Sequence, residues 1–92
     1  MMKCLNNRAD HVTIAYIGGG SRGWAWTFMT DLALEPAMSG VIRLYDIDRE
    51  AAKANEVIGN RLSERPEAAG KWKYETAGSL KEALSGADFV VI

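Results

Sequence analysis

The fold of this chain is decided by residues 12–24, which read VTIAYIGGGSRGW. Residues 12–17 form an apolar run, which is typical of a parallel strand that helices cover on both faces. Three glycines follow, Gly18, Gly20 and Gly23, with the spacing G-x-G-x-x-G, and a helical pattern begins after them. A strand, such a turn and a helix in succession are the signature of a dinucleotide-binding βαβ unit.

Each glycine of the turn has a predicted role. Gly18 permits the tight turn out of the strand, Gly20 lets the backbone approach a pyrophosphate, and Gly23 lets the helix pack closely on the strand. The helix N-terminus offers free N–H groups and the positive end of its dipole to the anion, and Ser21 could add a hydroxyl donor. The alternative is a glycine-rich turn that binds nothing, but the flanking strand and helix favour binding.

An acidic residue lies at the position expected for ribose binding. The second apolar run, 41–45, ends at Asp46, 23 residues after Gly23, close to the spacing of roughly 20 residues seen in dinucleotide sites. Its carboxylate would accept hydrogen bonds from both adenosine-ribose hydroxyls and repel a 2′-phosphate, which favours NAD over NADP. Arg49 weakens this preference, because an arginine can accommodate that phosphate. Asp46 could instead cap the next helix, although Asp48 is better placed to do so.

The hydrophobic pattern predicts alternating strands and helices. Strands are expected at 12–17, 41–45, 71–75 and from Asp88, with helices at 22–35, 49–64 and from a capping box at Ser79, and Ser39-Gly40 form a turn. Right-handed crossovers then give an α/β fold, the first half of a Rossmann-like parallel sheet with strand order 3-2-1-4. The dinucleotide would lie at the carboxyl ends of strands one and four.

Both long helices have a predicted buried face. The residues are Ala25, Phe28, Met29 and Leu32 in the first helix, and Ala51, Ala54, Ile58 and Leu62 in the second, with Asn55 on the same face. A polar residue there needs a hydrogen-bond partner, and we interpret Asn55 as a structural amide rather than a ligand contact. Trp24, Trp26 and Leu34 lie off the first face; they either cover neighbouring loops or contact a further part of the protein.

Composition limits the classes of function. Ninety-two residues make one small domain, predicted at 12–92 after a polar leader at 1–11, and the net charge of −1 predicts no bulk attraction to nucleic acid or an anionic membrane. The one cysteine, Cys4, cannot form an intrachain disulfide, and with no secretory signal or membrane-length apolar run the predicted location is the cytoplasm. Cys4 and His11 have no partners in sequence for nucleophilic or metal chemistry.

The last residues, 87–92, form an apolar run that is typical of a buried strand. We therefore expect the chain to be a fragment of a longer protein. A sheet covered over half its extent would expose apolar faces, so we expect the isolated chain to be poorly soluble or to self-associate.

Five stretches together resemble the N-terminus of glycoside hydrolase family 4. They are IAYIGGGS at 14–21, Trp24, Asp31-Leu32, LYDID at 44–48, and the segment 83–90. The resemblance covers nearly the whole chain after the leader. Within the family, Trp24 and the segment NEVIGN at 55–60 look most like the α-galacturonidase branch.

The resemblance implies an unusual glycosidase that lies outside the two-carboxylate scheme. By this resemblance, NAD⁺ is expected to take a hydride from C3 of the sugar, and a base to remove the acidified C2 proton while a divalent metal, usually manganese, stabilises the enediolate. The aglycone would then leave, water would add and the hydride would return. Gly18, Gly20, Gly23 and Asp46 match the family's NAD-binding pattern.

The cofactor-binding residues predicted from the motif and the resemblance together are Gly18, Gly19, Gly20, Ser21, Arg22, Gly23, Trp24 and Asp46. The family's metal-binding cysteine and histidine and its catalytic base lie beyond Ile92; Cys4 and His11 precede the first strand and are not those residues. This chain alone is therefore expected neither to bind the metal nor to hydrolyse a glycoside. The full-length protein is expected to act on a small glycoside as a homo-oligomer.

Two other classes of protein share the motif. A lactate- or malate-dehydrogenase-like oxidoreductase has the same fold and glycine turn, and would continue with an Arg…His pair instead of metal ligands. A non-catalytic nucleotide-binding or structural βαβ module is the third possibility.

Overall fold

The structure is a computed structural model that describes residues 2–5, 8–21 and 23–92. The elements in chain order are β1 (Lys3–Leu5), β2 (Arg8–Ile17), α1 (Gly23–Leu34), β3 (Met38–Tyr45), α2 (Arg49–Glu64), β4 (Trp72–Thr76), α3 (Leu80–Leu84) and β5 (Phe89–Val91).

The strands form one mixed sheet. β5, β2, β3 and β4 lie side by side and run parallel, so the predicted α/β fold with strand order 3-2-1-4 is confirmed. β1 was not predicted: it pairs antiparallel with the first residues of β2, on the flank where β5 pairs further along. Residues 3–5 and 8–11 of the predicted polar leader therefore belong to the sheet, and the first predicted strand begins at Arg8 and not at Val12.

The second parallel strand starts earlier than predicted. β3 begins at Met38, so Ser39 and Gly40 are strand residues and not a turn. A bulge in β2 shifts its register with β3 between Ala9 and Val12. The bulge brings the backbone so close that a Cβ on Gly40 would lie 1.9 Å from the Val12 carbonyl oxygen. Glycine is needed at position 40 because the two strands lie too close there for a side chain. Close approach of another backbone is a common reason for a glycine within a strand.

The two long helices lie on one face of the sheet and α3 lies on the other. α1 and α2 pack beside each other, and their buried side chains join those of Ile42 and Leu44 in one core. Successive strand residues point to opposite faces, and Arg43, between these two, donates to the Glu82 and Ser85 carbonyls of α3 and its C-cap. The short α3 therefore lies on the face opposite α1 and α2.

The long helices match the prediction in extent but not in every buried residue. α1 buries Ala25, Met29 and Leu32 and half-buries Phe28, as predicted, whereas the buried residues of α2 are Ala52, Asn55, Gly59 and Ser63. The predicted line Ala51, Ala54, Ile58 and Leu62 is therefore wrong by about one position. The reason is close packing on β4, because a Cβ on Gly59 would lie 2.5 Å from Cδ1 of Tyr74. Small residues form the buried line that the structure shows, and Ile58 and Leu62 of the predicted line pack at its margin.

Apolar side chains are exposed at the last strand. Phe89 and Val90 are each 48% exposed and Ile92 is 98% exposed, which is the apolar surface expected from the sequence; self-association stays a prediction. None of the helices described is both long and apolar enough to cross a membrane.

Candidate nucleotide-binding site

The glycine turn joins the carboxyl ends of two neighbouring strands. The chain leaves β2 at Ile17, and the N–H groups of Gly18 and Gly19 both donate to the Tyr45 carbonyl at the end of β3 (2.7 and 2.9 Å). Gly18 has φ +90°, a conformation that side chains with a Cβ rarely adopt. The predicted role of Gly18 in the turn is therefore confirmed.

Gly19 and Gly20 are required by packing inside the protein. A Cβ on Gly19 would lie 2.8 Å from Cβ of Leu44, and one on Gly20 would lie 2.9 Å from both Cβ of Ala51 and Oδ2 of Asp46. The turn is thus pressed against β3 and the first turn of α2. The approach of a pyrophosphate to Gly20 stays a prediction.

The packing role predicted for Gly23 is wrong. Apart from its chain neighbours and the backbone of its own helix, a Cβ on this residue would meet no described atom within 4 Å, and Gly23 is exposed at the start of α1. The close approach to the sheet is made by Gly19 instead, where a Cβ would lie 2.8 Å from Cβ of Leu44.

Asp46 binds the glycine turn directly. The Gly20 N–H donates to Asp46 Oδ2 and the Asp48 N–H donates to Asp46 Oδ1, each at 2.9 Å. Because a carboxylate offers about four lone pairs, both oxygens can still accept a further hydrogen bond. Asp48, and not Asp46, caps α2 by accepting from the Ala51 N–H. The Asp46 carboxylate therefore lies at the turn with capacity for a ribose.

Asn55 binds the same turn from α2. This side chain is 3% exposed; its Nδ2 donates to the carbonyls of Gly19 (2.7 Å) and Ser21 (2.8 Å), and its Oδ1 accepts from Trp26 Nε1 (2.9 Å). The interpretation of Asn55 as a satisfied structural amide is confirmed by these bonds, and they also show what the amide supports.

A cleft opens at the carboxyl ends of β2 and β5. Its volume is about 370 Å³, and it is lined by Tyr16, Ile17, Gly18, Ser21, Trp24, Val91 and Ile92. Trp24 is 80% exposed here, so a large aromatic face is available to a ligand. This is the switch point of the sheet, where open α/β sheets bind their ligands.

The remaining predicted residues have mixed outcomes. The Ser21 oxygen accepts from the Ala25 N–H (3.2 Å), so the hydroxyl supports the start of α1 and can still donate its own hydrogen. Arg22 lies outside the described residues. Arg49 donates to the Gly78 carbonyl (2.9 Å), which holds one of its nitrogens away from a 2′-phosphate.

The described residues contain no group of three or more His, Cys, Asp or Glu side chains that could hold a metal ion. Cys4 is exposed in β1 and His11 is exposed at the bulge in β2 with φ +57°. Both residues lie far from the cleft. β2 runs from the bulge near His11 to the glycine turn, and Cys4 pairs with Ala9 at the bulge end of that strand.

One carboxylate on α2 has a shifted pKa. Burial alone would raise the pKa of Glu56, but its hydrogen bonds with Lys53 and with the Thr76 N–H lower it more, so the pKa lies below its ordinary value. The Thr76 N–H bond joins α2 to the end of β4. The carboxylate thus stabilises the helix–sheet contact in its charged form.

The geometry of the turn fits a dinucleotide. The turn carries a left-handed glycine, two positions that a Cβ would fill, and a carboxylate at the end of the second strand. Beside it lie the helix N-terminus and an open cleft with an aromatic wall. The sequence indicated the turn at Gly18, the Asp46 carboxylate and the helix N-terminus. It did not indicate the packing of Gly19 and Gly20 inside the protein, and the only signal for the bonds of Asn55 was a polar residue on an apolar helix face.

Comparison with known proteins identifies close relatives. The family model described as family 4 glycosyl hydrolase matches residues 13–92. The chain is 67% identical over 91 residues to an α-galacturonidase of Lachnoclostridium phytofermentans, covering 99% of this chain and 20% of the relative. It is 56% identical over 91 residues to an α-galacturonidase of Thermoanaerobacterium saccharolyticum, again covering 99% and 20%.

A solved structure has the same fold. The crystal structure of a putative glucosidase from Bacillus subtilis superposes with a TM-score of 0.77 at 52% identity, over 88% of this chain and 18% of that one. The chain thus spans about a fifth of the length of the relatives it matches. These matches confirm the resemblance noted in the sequence, including its α-galacturonidase branch, and favour it over the dehydrogenase alternative.

Proposed function

Because this chain belongs to the family 4 glycosyl hydrolases, we propose that it is the NAD-binding part of a glycosidase that hydrolyses O-glycosyl bonds, with α-galacturonides as the substrate class. The substrate class rests on the names of the relatives. The cofactor rests on one observation above all, the Asp46 carboxylate that holds the Gly20 N–H and keeps lone pairs for a ribose.

In this proposal the chain's own residues bind and orient the cofactor. The pyrophosphate would lie beside Gly20 at the N-terminus of α1, because the N–H groups of Gly18, Gly19 and Gly20 already donate to Tyr45 and Asp46. Asp46 would accept hydrogen bonds from the adenosine ribose, and the exposed Trp24 ring would line the cleft. When bound, NAD⁺ would supply a hydride acceptor for C3 of the sugar, which makes the C2 proton acidic enough for elimination of the aglycone.

The other features of the proposal concern the full-length protein. A divalent metal, with manganese as the first candidate, would be held by residues other than those described here. We also propose a homo-oligomer in the cytoplasm with no nucleic-acid or membrane partner. The net charge of −1 supports the absence of a nucleic-acid or membrane partner, and the single cysteine supports the cytoplasm.

Calorimetric titration of the purified protein with NAD⁺ and NADP⁺ tests the proposal. We expect saturable NAD⁺ binding and weaker NADP⁺ binding. Asp46→Ala removes a charged acceptor, and such hydrogen bonds contribute about 1.5–3 kcal/mol, so NAD⁺ affinity should fall about tenfold to a hundredfold. Asp46→Asn, which keeps the size and loses the charge, should reduce the discrimination against NADP⁺.

Asp31→Ala is the matched control, since it removes an exposed carboxylate from the middle of α1, and it should leave NAD⁺ binding unchanged. A folded wild-type protein that gives no saturable NAD⁺ binding would contradict the cofactor assignment. Equal binding by wild type and Asp46→Ala would show that Asp46 does not contact the ribose.

A further inference from the structure

We infer that Asn55 is a positioning residue for the phosphate-binding turn: it holds two carbonyl groups of the turn toward α2, so that they do not face the bound pyrophosphate. The inference rests on the proposed NAD site. Asn55 lies on the helix that follows Asp46, far from the glycine motif in sequence, and no motif assigns it a role.

The hydrogen bonds of Asn55 fix its orientation. Both Nδ2 hydrogens are used, one by the Gly19 carbonyl (2.7 Å) and one by the Ser21 carbonyl (2.8 Å). Trp26 Nε1 lies 2.9 Å from Oδ1, and an indole N–H can only donate. The amide oxygen must therefore face Trp26, and the amide nitrogen must face the turn.

This orientation matters to an anion because of the peptide dipole. A carbonyl oxygen that faced a pyrophosphate would repel it, whereas an N–H group attracts it. The cleft is lined by Gly18, Ser21 and Trp24, while Asn55 reaches the same turn from α2. By holding the carbonyls of Gly19 and Ser21 on the α2 side, Asn55 removes the repulsive arrangement before the ligand binds.

A second asparagine on α2 separates this role from simple helix anchoring. Asn60 donates from Nδ2 to the Tyr74 carbonyl (3.0 Å) and accepts at Oδ1 from the Tyr74 N–H (2.7 Å). Like Asn55, Asn60 is a side chain on α2 that forms hydrogen bonds with the backbone of another element. Asn60, however, joins α2 to the edge strand β4, away from the glycine turn, so it provides a matched control.

The test is Asn55→Asp, which keeps the shape and removes both donors. Dissociation constants for NAD⁺ are measured by calorimetry, and those for adenosine, which has the ribose and no phosphate, by NMR titration. Loss of two hydrogen bonds and the new negative charge should raise the Kd for NAD⁺ about tenfold or more. The Kd for adenosine should stay within about twofold, because Asp46 still serves the ribose.

The control Asn60→Asp should lower Tm and leave both dissociation constants within about twofold, since its bonds lie at β4. If Asn55→Asp does not fold, Trp26→Phe decides the question. This variant keeps the amide and its two donors but removes the bond that orients Oδ1, so it should weaken NAD⁺ about threefold to tenfold without weakening adenosine.

Three results would overturn the inference. NAD⁺ binding by folded Asn55→Asp within about twofold of wild type would show that the carbonyls need no holding. Equal weakening of NAD⁺ and adenosine would show a merely structural role, as would an unchanged NAD⁺ affinity in Trp26→Phe. A wild-type protein that binds no NAD⁺ would overturn the proposed function itself, which is a different result.

Discussion

Two glycines of the same motif should respond oppositely to alanine. At Gly20 a Cβ would lie 2.9 Å from Cβ of Ala51 and from Oδ2 of Asp46. Carbon atoms in ordinary contact lie about 3.5–4.0 Å apart. To accept the new methyl group, the turn or α2 must therefore move by roughly half an ångström or more. At Gly23 a Cβ would meet no described atom within 4 Å outside its chain neighbours and the backbone of its own helix.

The magnitudes follow from this contrast. Overpacking costs about 1–3 kcal/mol, while replacing a glycine at a compatible backbone position gains about 0.4–1 kcal/mol from the reduced entropy of the unfolded chain. Gly20→Ala should therefore destabilise the protein by about 1–2 kcal/mol and Gly23→Ala should stabilise it by up to about 1 kcal/mol. The difference of about 2 kcal/mol is roughly thirtyfold in the folding equilibrium constant.

Urea unfolding followed by tryptophan fluorescence measures both variants against wild type. Gly20→Ala should also weaken NAD⁺, because the added methyl group displaces the Asp46 carboxylate. The reasoning would be refuted if Gly23→Ala were the more destabilising of the two. That result would restore the helix-packing role that the sequence motif assigns to Gly23.

Two further predictions concern the sheet and its helix. Gly40→Ala should destabilise the protein by about 3 kcal/mol or more, because the new Cβ would lie 1.9 Å from the Val12 carbonyl oxygen; a urea midpoint equal to that of wild type would contradict the close approach. The pKa of Glu56 is lowered from its ordinary 4.5, so its stabilisation is complete above that value and is lost as the pH falls through the lower pKa of the folded protein. Glu56→Gln should therefore lose less stability than wild type between about pH 5 and pH 2. Acid unfolding curves of the same slope for both proteins would show that Glu56 does not cause this loss of stability.

The parts of the fold with strong local signals were predicted well. α2 spans Arg49–Glu64 as expected, because Asp48 caps its start and Arg65, which precedes a proline, takes an extended conformation at its end. The strand expected at 71–75 is likewise present as β4, because apolar and polar residues alternate there, and its aromatic residues Trp72 and Tyr74 are buried.

Features that depend on distant contacts were not predicted. β1 has three residues and no periodic pattern, and it exists through pairing with β2. Gly40 carries a turn signal in sequence, but the bulge in β2 makes it a strand residue. The shift of the buried line on α2 follows from the distance between Gly59 and Tyr74, which no local pattern encodes.

The candidate site shows the same division. The turn at Gly18 and the carboxylate of Asp46 follow from a motif with fixed spacing, and both lie where the motif predicts. Asn55 is 34 or more residues from the carbonyls that it binds, so the sequence could show that it needs partners but could not identify them. The cofactor roles of these residues stay predictions until binding is measured.

The bonds from Asp46 and Asn55 to the glycine turn bear on how such a loop can be transplanted. A graft of residues 17–24 into another α/β scaffold would carry all four glycines of the turn but neither the carboxylate nor the amide that binds the turn's backbone. A functional graft would have to include the βαβ unit through Asn55. It would also need Leu44 and Ala51, which pack directly against Gly19 and Gly20. The exchangeable unit for engineering a nucleotide site from this protein is therefore the whole segment from the start of β2 through Asn55, and the glycine motif alone is too short.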